Sequence, residues 1–171
     1  GEAKEVYKVR IAMGAGSADK WIKYQLEYSE DGNSWTSKSA QTGTANGTDT
    51  YVEDLKGVTF QKGMGSVYDK TQRLITLSKD IAKELNVPSK DIERTALLCK
   101  ADLVTQLVFE FTELQGYIGS DYARVAGEDA RVVEGIKEHY FPLNAESETA
   151  KGIEGQAVGI ADKLDTICAV F

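Results

Sequence analysis

The order of apolar and polar residues divides the chain into two parts with different periodicities. Residues 9–13 and 21–28 alternate between apolar and polar positions, which is the pattern of half-buried β-strands. A tight turn is predicted around Gly32, after which Trp35 begins a returning strand. Residues 50–52 are a further short strand candidate. The first part therefore predicts antiparallel strands.

From residue 60 onward, apolar residues recur with helical spacing. Ser66 is placed to cap a helix whose apolar stripe runs to Asn86, and Ser89 is a plausible cap for the next one. Apolar residues over 92–108 predict one buried helix. Further helices are predicted over 112–126, 128–138 and 152–171.

The composition changes near residues 55–60, from Ser, Thr, Gly and Trp to Ala, Leu, Glu and Lys. We place a domain boundary there. The sequence thus predicts an α+β protein with a short antiparallel β-sandwich-like segment over residues 1–57. A bundle of about five helices is predicted over 58–171.

Three aspartates lie inside the apolar helical runs. Asp102 stands in one run, and Asp162 and Asp165 repeat the arrangement near the C-terminus. An unpaired ion in an apolar setting is costly or takes up a proton. We therefore expect each carboxylate to meet a lysine, a helix end or the helix that carries the other aspartates.

Composition and charge narrow the classes of function. The chain has 171 residues and a net charge of −7, which argues against sequence-independent nucleic-acid binding, although a local basic patch remains open. Cys99 and Cys168 have apolar helical neighbours and are interpreted as small buried hydrophobes in a reducing compartment. No apolar run is long enough to span a membrane, and we expect a cytoplasmic protein. Because the chain begins with Gly and ends in an apolar run, we also expect a fragment.

Six ordered sequence blocks over residues 58–171 carry a resemblance to a known family. They are Val58-Thr59-Phe60-Gln61, Gly65-Ser66-Val67-Tyr68-Asp69-Lys70-Thr71-Gln72-Arg73, Lys100-Ala101-Asp102-Leu103-Val104-Thr105, Phe111-Thr112-Glu113-Leu114-Gln115-Gly116, Glu138-His139-Tyr140-Phe141-Pro142 and Ala161-Asp162-Lys163-Leu164-Asp165-Thr166. This part resembles the HD-type helical domain of the bacterial glycyl-tRNA synthetase β subunit. The resemblance implies a glycine–tRNA ligase that uses ATP, with its aminoacylation site in the α subunit. It implies tRNA and the α subunit as partners, and no cofactor in this segment itself.

The resemblance also indicates what has become of the HD metal site. The HD family holds a metal for phosphohydrolysis with His and Asp ligands, and Ala101-Asp102 stands at its His-Asp pair. Asp162 or Asp165 would supply its last carboxylate. Since His139 is the only histidine, the ligand set is poor for a transition metal. We predict degenerate HD positions, no metal and no catalytic residue; an active HD phosphohydrolase is an alternative that requires bound metal. His139 itself is expected at a helix C-terminus, where a cation suits the helix dipole.

A glycine-rich approach to the first predicted helix is the best candidate for a contact with tRNA phosphates. Helix N-terminal amides can hold an anion, and three cations are close in sequence. The predicted contact residues are Lys62, Gly65, Ser66, Lys70 and Arg73. The alternative is an ordinary helix cap with solvated lysines.

The first part carries a second resemblance. Residues 20–36, together with Thr42-Gly43 and residues 47–50, resemble the second half of a discoidin-like, factor-5/8 type C module. Such modules often bind carbohydrate, so a carbohydrate-binding fragment is the alternative function. Trp21, Tyr24, Tyr28 and Trp35 could stack on a sugar, although strand alternation favours the core for Tyr24 and Trp35. Since the two families meet at residues 54–58, we predict a chimera. Finding this junction in a native genomic reading frame would contradict that prediction.

Overall fold

The computed structural model describes residues 8–14, 21–29, 36–44 and 47–171, with side chains from residue 51 onward. The chain divides into two compact units, Gly1–Asn46 and Gly47–Phe171. The predicted boundary at 57/58 and the HD-like assignment of the helices stay predictions.

The described residues of the first unit form a three-stranded antiparallel sheet in the order β1-β2-β3. Its strands are β1 (Lys8–Gly14), β2 (Trp21–Ser29) and β3 (Thr36–Thr44). Val9 pairs with Tyr28 and Ile11 with Leu26, which confirms the strands predicted from alternation. Gly32 and Trp35 lie outside the described residues.

The second unit is a helical bundle with a small hairpin. The hairpin pairs β4 (Thr59–Gln61) with β5 (Gly65–Ser66). The helices are α1 (Gly47–Asp54), α2 (Val67–Glu84), α3 (Lys90–Leu98), α4 (Gln106–Glu110), α5 (Tyr117–Val125), α6 (Ala130–Glu138) and α7 (Ile153–Val170). This arrangement confirms the predicted α+β class with a helical bundle.

Two apolar clusters hold the bundle together. One joins α2, α3 and α7 through small and branched side chains, among them Leu74, Ile92 and Ala157. The other joins α1, α3, α5 and α6, with Val52, Leu98 and Ile136 at its centre. Because α3 contributes to both clusters, it places its C-terminal end in the middle of the unit.

The structure corrects the elements predicted at residues 50–52 and 92–108. Residues 50–52 lie in α1 rather than in a strand, where Val52 is buried against the bundle. The single helix predicted over 92–108 is interrupted after Leu98 by a 3₁₀ turn, Ala101–Val104, and α4 follows. The chain restarts at α4 because Thr105 is extended and its side chain accepts a hydrogen bond from the Val108 amide. Continuous apolar spacing could not reveal this interruption.

Within the described part of the chain, no helix combines the length and apolar character needed to cross a membrane.

Candidate functional site

A set of buried and partly buried polar side chains lies where α2, α7 and the ends of α3 and α6 meet. We call this set the polar core, and it consists of Lys70, Arg73, Lys100, His139, Asp162 and Asp165. Its members are up to 95 positions apart in sequence, and the two apolar clusters bring them together.

Asp165 binds two cations from α2. Arg73 approaches both carboxylate oxygens, with Nε 2.5 Å from Oδ1 and Nη2 3.2 Å from Oδ2. Lys70 Nζ lies 3.0 Å from Oδ2. Burial works to raise the pKa of Asp165, but the hydrogen bonds from Arg73 and Lys70 outweigh it and lower that pKa. The carboxylate is therefore charged at neutral pH.

Asp162 bridges two lysines one turn earlier on α7. Its Oδ2 accepts a hydrogen bond from Lys100 Nζ at 2.7 Å. Its Oδ1 forms an ion pair with Lys70 Nζ at 2.8 Å, without the alignment of a hydrogen bond. Burial again works to raise the pKa, yet the two ammonium groups hold the pKa of Asp162 well below its usual range.

His139 completes the polar core as a neutral base. Lys100 Nζ lies 2.9 Å from Nε2, and Nδ1 lies 2.6 Å from the Ile136 carbonyl oxygen. Since an ammonium only donates, Nε2 accepts and Nδ1–H donates to the carbonyl. Burial and the nearby Lys100 charge lower the pKa of His139 well below its ordinary value. His139 does stand at the C-terminal end of α6, as predicted. The prediction that its ring is a cation there was wrong, because the ring is neutral and the positive charge at this position is that of buried Lys100.

Asp102 lies apart from this network and caps a helix. Its Oδ2 accepts hydrogen bonds from the Gly116 and Gly119 amides at 2.7 and 3.1 Å, which are at the start of α5. A side chain at Gly119 would approach the carboxylate to 3.0 Å, so glycine allows this close contact. Burial raises the pKa of Asp102, and its Oδ1 has no hydrogen-bond partner among the described residues. The expectation of a helix end as partner is confirmed.

A second distant carboxylate caps α7, and sequence reasoning missed it. Glu138 is buried, and its Oε2 accepts hydrogen bonds from the Lys151 and Gly152 amides at 3.0 and 2.8 Å. The sequence did offer a signal, because α7 starts after Gly152, which has no side chain to cap the helix. An acceptor from elsewhere in the chain was therefore to be expected. Lys100 was also missed as a central partner, although it precedes Asp102 by only two positions.

The predicted phosphate contacts lie at the β4–β5 hairpin and the start of α2. Ser66 and Asp69 form a capping box, in which the Ser66 amide donates to Asp69 Oδ2 at 2.7 Å. The chain's own carboxylate therefore already occupies this helix N-terminus, close to Gly65. Lys70 is buried in the polar core, Arg73 also donates to the Met64 carbonyl, and Lys62 is exposed. Lys70 and Arg73 thus form ion pairs with aspartates in this structure. Phosphate contact stays a prediction.

The described residues contain no group of three His, Cys, Asp or Glu side chains placed to hold a metal ion. Cys99 is buried, and burial raises the pKa of its thiol to about 12. Cys168 is exposed, contrary to its predicted burial.

Fold and polar core together define a helical domain in which the buried carboxylates of Asp102, Glu138 and Asp165 are bound by its own cations and backbone amides. Residues 41–171 match the family model described as the glycyl-tRNA synthetase beta subunit. This chain therefore belongs to the glycyl-tRNA synthetase β subunit family.

Three relatives show how much of such a subunit the chain represents. The glycine–tRNA ligase beta subunit of Synechocystis sp. is 47% identical over 126 residues, which cover 72% of this chain and 18% of the relative. That of Trichodesmium erythraeum is 47% identical over 134 residues, or 77% and 19%. That of Desulfitobacterium hafniense is 49% identical over 123 residues, or 70% and 18%. The chain thus spans less than a fifth of the length of these relatives.

The family match bears on the first segment as well. It begins at residue 41 and so includes residues 41–57, which the sequence interpretation assigned to the discoidin-like segment. These matches lend no support to a discoidin-like module or a carbohydrate partner. The chimera and the discoidin-like resemblance therefore remain predictions.

Proposed function

We propose that residues 47–171 form a non-catalytic domain of a glycine–tRNA ligase β subunit, acting as a scaffold and contacting tRNA through the β4–β5 hairpin. One observation carries the non-catalytic part. Asp102, Asp162 and Asp165 are bound to amides, lysines and an arginine, so these carboxylates are not free to gather around a metal or a substrate. ATP, the α subunit and aminoacylation belong to the larger enzyme, in the cytoplasm.

The tRNA contact rests on the hairpin rather than on the whole surface. Lys62 is exposed between β4 and β5. Arg73 holds the Met64 carbonyl at 3.1 Å, and Lys70 Nζ lies 4.4 Å from the centre of the Phe60 ring. Both contacts anchor the hairpin to α2, so Lys62 is presented on a fixed element. A fixed lysine can neutralise one backbone phosphate even on an acidic protein.

A binding titration tests this contact. The purified chain is titrated with glycine tRNA from low to moderate salt, alongside Lys62→Glu and the matched control Lys83→Glu, which changes an exposed lysine near the other end of α2. The Lys62 change should weaken binding and reduce the slope of log affinity against log salt concentration by about one, whereas the Lys83 change should have a smaller effect. Lys70 and Arg73 are left intact because replacing them would disturb the polar core.

Two outcomes separate the parts of the proposal. Equal effects of the two lysine changes would reject the hairpin contact. No binding even at low salt would leave a scaffold role alone. Metal-dependent release of phosphate from nucleotides, abolished by Asp162→Asn, would reject the non-catalytic role.

A further inference from the structure

Within the described residues 47–171, helix α7 carries an exposed apolar stripe. We call Ile160, Leu164, Ile167 and Phe171 the α7 stripe. Their spacing of four, three and four residues places them on one side of the helix. The first three side chains are between 48% and 54% exposed, and Phe171 is fully exposed.

The opposite side of α7 is already part of the core. Ala157, Val158 and Ala161 are fully buried against α2 and α3. The helix is therefore apolar on both sides, whereas a surface helix ordinarily keeps one side polar. This pattern is typical of a helix buried from two directions.

The surroundings of the stripe point to a permanent interface. The neighbouring cation, Lys163, is turned onto backbone carbonyls, with Nζ 3.2 Å from Phe141 O and 3.3 Å from His139 O. Asp162 and Asp165 are bound within the polar core. Leu143, two residues after Phe141 in the sequence, is a further exposed apolar side chain. Permanent interfaces resemble such a surface, apolar and poor in available charge.

We propose that the α7 stripe is an internal interface of a longer β subunit, covered by an apolar segment of the same polypeptide. The length of the relatives supports this occupant, because the matched segment makes up only 18% of the Synechocystis subunit. More than four fifths of such a chain is therefore available to bind the stripe permanently. The inference rests on family membership and is independent of the proposed tRNA contact.

The thiol of Cys168 reports on this face, since it is exposed and adjoins Ile167. Its labelling rate is measured in the 171-residue chain and in the Synechocystis β subunit whose matching segment is replaced by residues 41–171. We expect labelling to be at least about tenfold slower in the longer protein, because reaction would require local opening. Circular dichroism establishes that both proteins are folded.

A charge introduced into the stripe provides the second readout. Leu164→Glu with Ile167→Glu should leave the melting temperature of the 171-residue chain nearly unchanged, since both side chains are half exposed. In the longer protein the same pair should lower it by several degrees and expose Cys168. The matched control is Leu85→Glu, an equally exposed leucine at the end of α2, which should change neither protein.

Several results would overturn the proposal. One is equal labelling of Cys168 in the two proteins, together with tolerance of the glutamate pair in the longer one. Another is a dimer of the longer protein that the glutamate pair dissociates, which would make a second copy the occupant. If the grafted protein does not fold, hydrogen exchange is measured in the unmodified Synechocystis subunit. Exchange of the segment aligned with α7 as fast as in the 171-residue chain would then reject the proposal.

Discussion

Backbone amides at the starts of α2 and α5 both donate hydrogen bonds to a carboxylate. The two carboxylates come from different distances along the chain. At α2, Asp69 lies three residues after the N-cap Ser66, and the two form an exposed capping box. At α5, the N-cap is Gly116, which has no capping side chain, and Asp102 arrives from 14 residues earlier. The same electrostatic need of the amides is met once locally and once by tertiary structure.

This difference separates interactions that form within one helical turn from those that need the assembled bundle. The polar core and the caps from Asp102 and Glu138 belong to the second kind, and most of their side chains are buried. A buried ion that loses its partner costs more than an exposed one, because water cannot replace the partner. Changes at distant contacts should therefore destabilise the domain more than changes at local caps.

The largest effect is expected from Asp162→Ala. This change leaves Lys100 without its carboxylate and weakens the pairing of Lys70. Removing one partner of a buried ion pair costs about 3–5 kcal/mol. Urea unfolding followed by circular dichroism at 222 nm measures the change in the helical unit. Tryptophan fluorescence would not report on that unit, because both tryptophans belong to residues 1–46.

The matched control for this change is Asp121→Ala, which removes an exposed local partner of Arg124. It should have no measurable effect, as is common for surface ion pairs. Similar losses for the two aspartates would contradict the distinction between buried and exposed pairs. Lys100→Met combined with Asp162→Leu should recover part of the loss, because no buried charge is then left alone.

Asp102→Ala should produce the next largest loss, about 2 kcal/mol. Two buried amides at the start of α5 lose their acceptor, while the cost of burying the carboxylate is removed at the same time. Asp102→Asn retains an oxygen acceptor and should lose less. Hydrogen exchange should show faster opening of the Gly116 and Gly119 amides in the alanine variant. Unchanged exchange at those amides would show that the cap does not hold α5.

Acid should destabilise the domain through His139, the only histidine in the chain. Its pKa is lowered in the fold, so below about pH 6.5 the unfolded chain binds a proton that the folded chain does not. Stability is therefore retained above that pH and lost as the pH falls, by up to about 1.4 kcal/mol at pH 5.5. The low pKa values of Asp162 and Asp165 act only in more acidic solution, as the pH falls below the ordinary aspartate value.

The comparison that isolates this effect is His139→Gln, measured from pH 7.5 to 5.5. The variant should lose the histidine part of the slope while the opposing part from Asp102 remains, since a raised carboxyl pKa favours the fold as pH falls. An unchanged slope would mean that His139 has the same pKa in the folded and the unfolded chain.

The same division explains what the sequence could predict. Helical spacing located α2, α6 and α7, and Ser66 marked the start of α2, because these signals lie within a few residues of one another. The break after Leu98 was not predictable from apolar spacing. The pairing of Lys100 with Asp162 was not predictable either, because it depends on how α7 packs across the bundle.

The smallest predicted effect compares two serines at helix starts. Ser66 accepts a hydrogen bond from the Asp69 amide, whereas Ser89 begins α3 without a side-chain cap and instead donates to Glu93 at 2.6 Å. Ser66→Ala should cost about 1 kcal/mol in urea unfolding, and Ser89→Ala should cost less because no helix amide loses its acceptor. Ser66→Asp should restore most of the loss, since aspartate also caps. Equal costs for the two alanine variants would show that the presence of a serine, rather than its bond to the amide, sets the stability of a helix start.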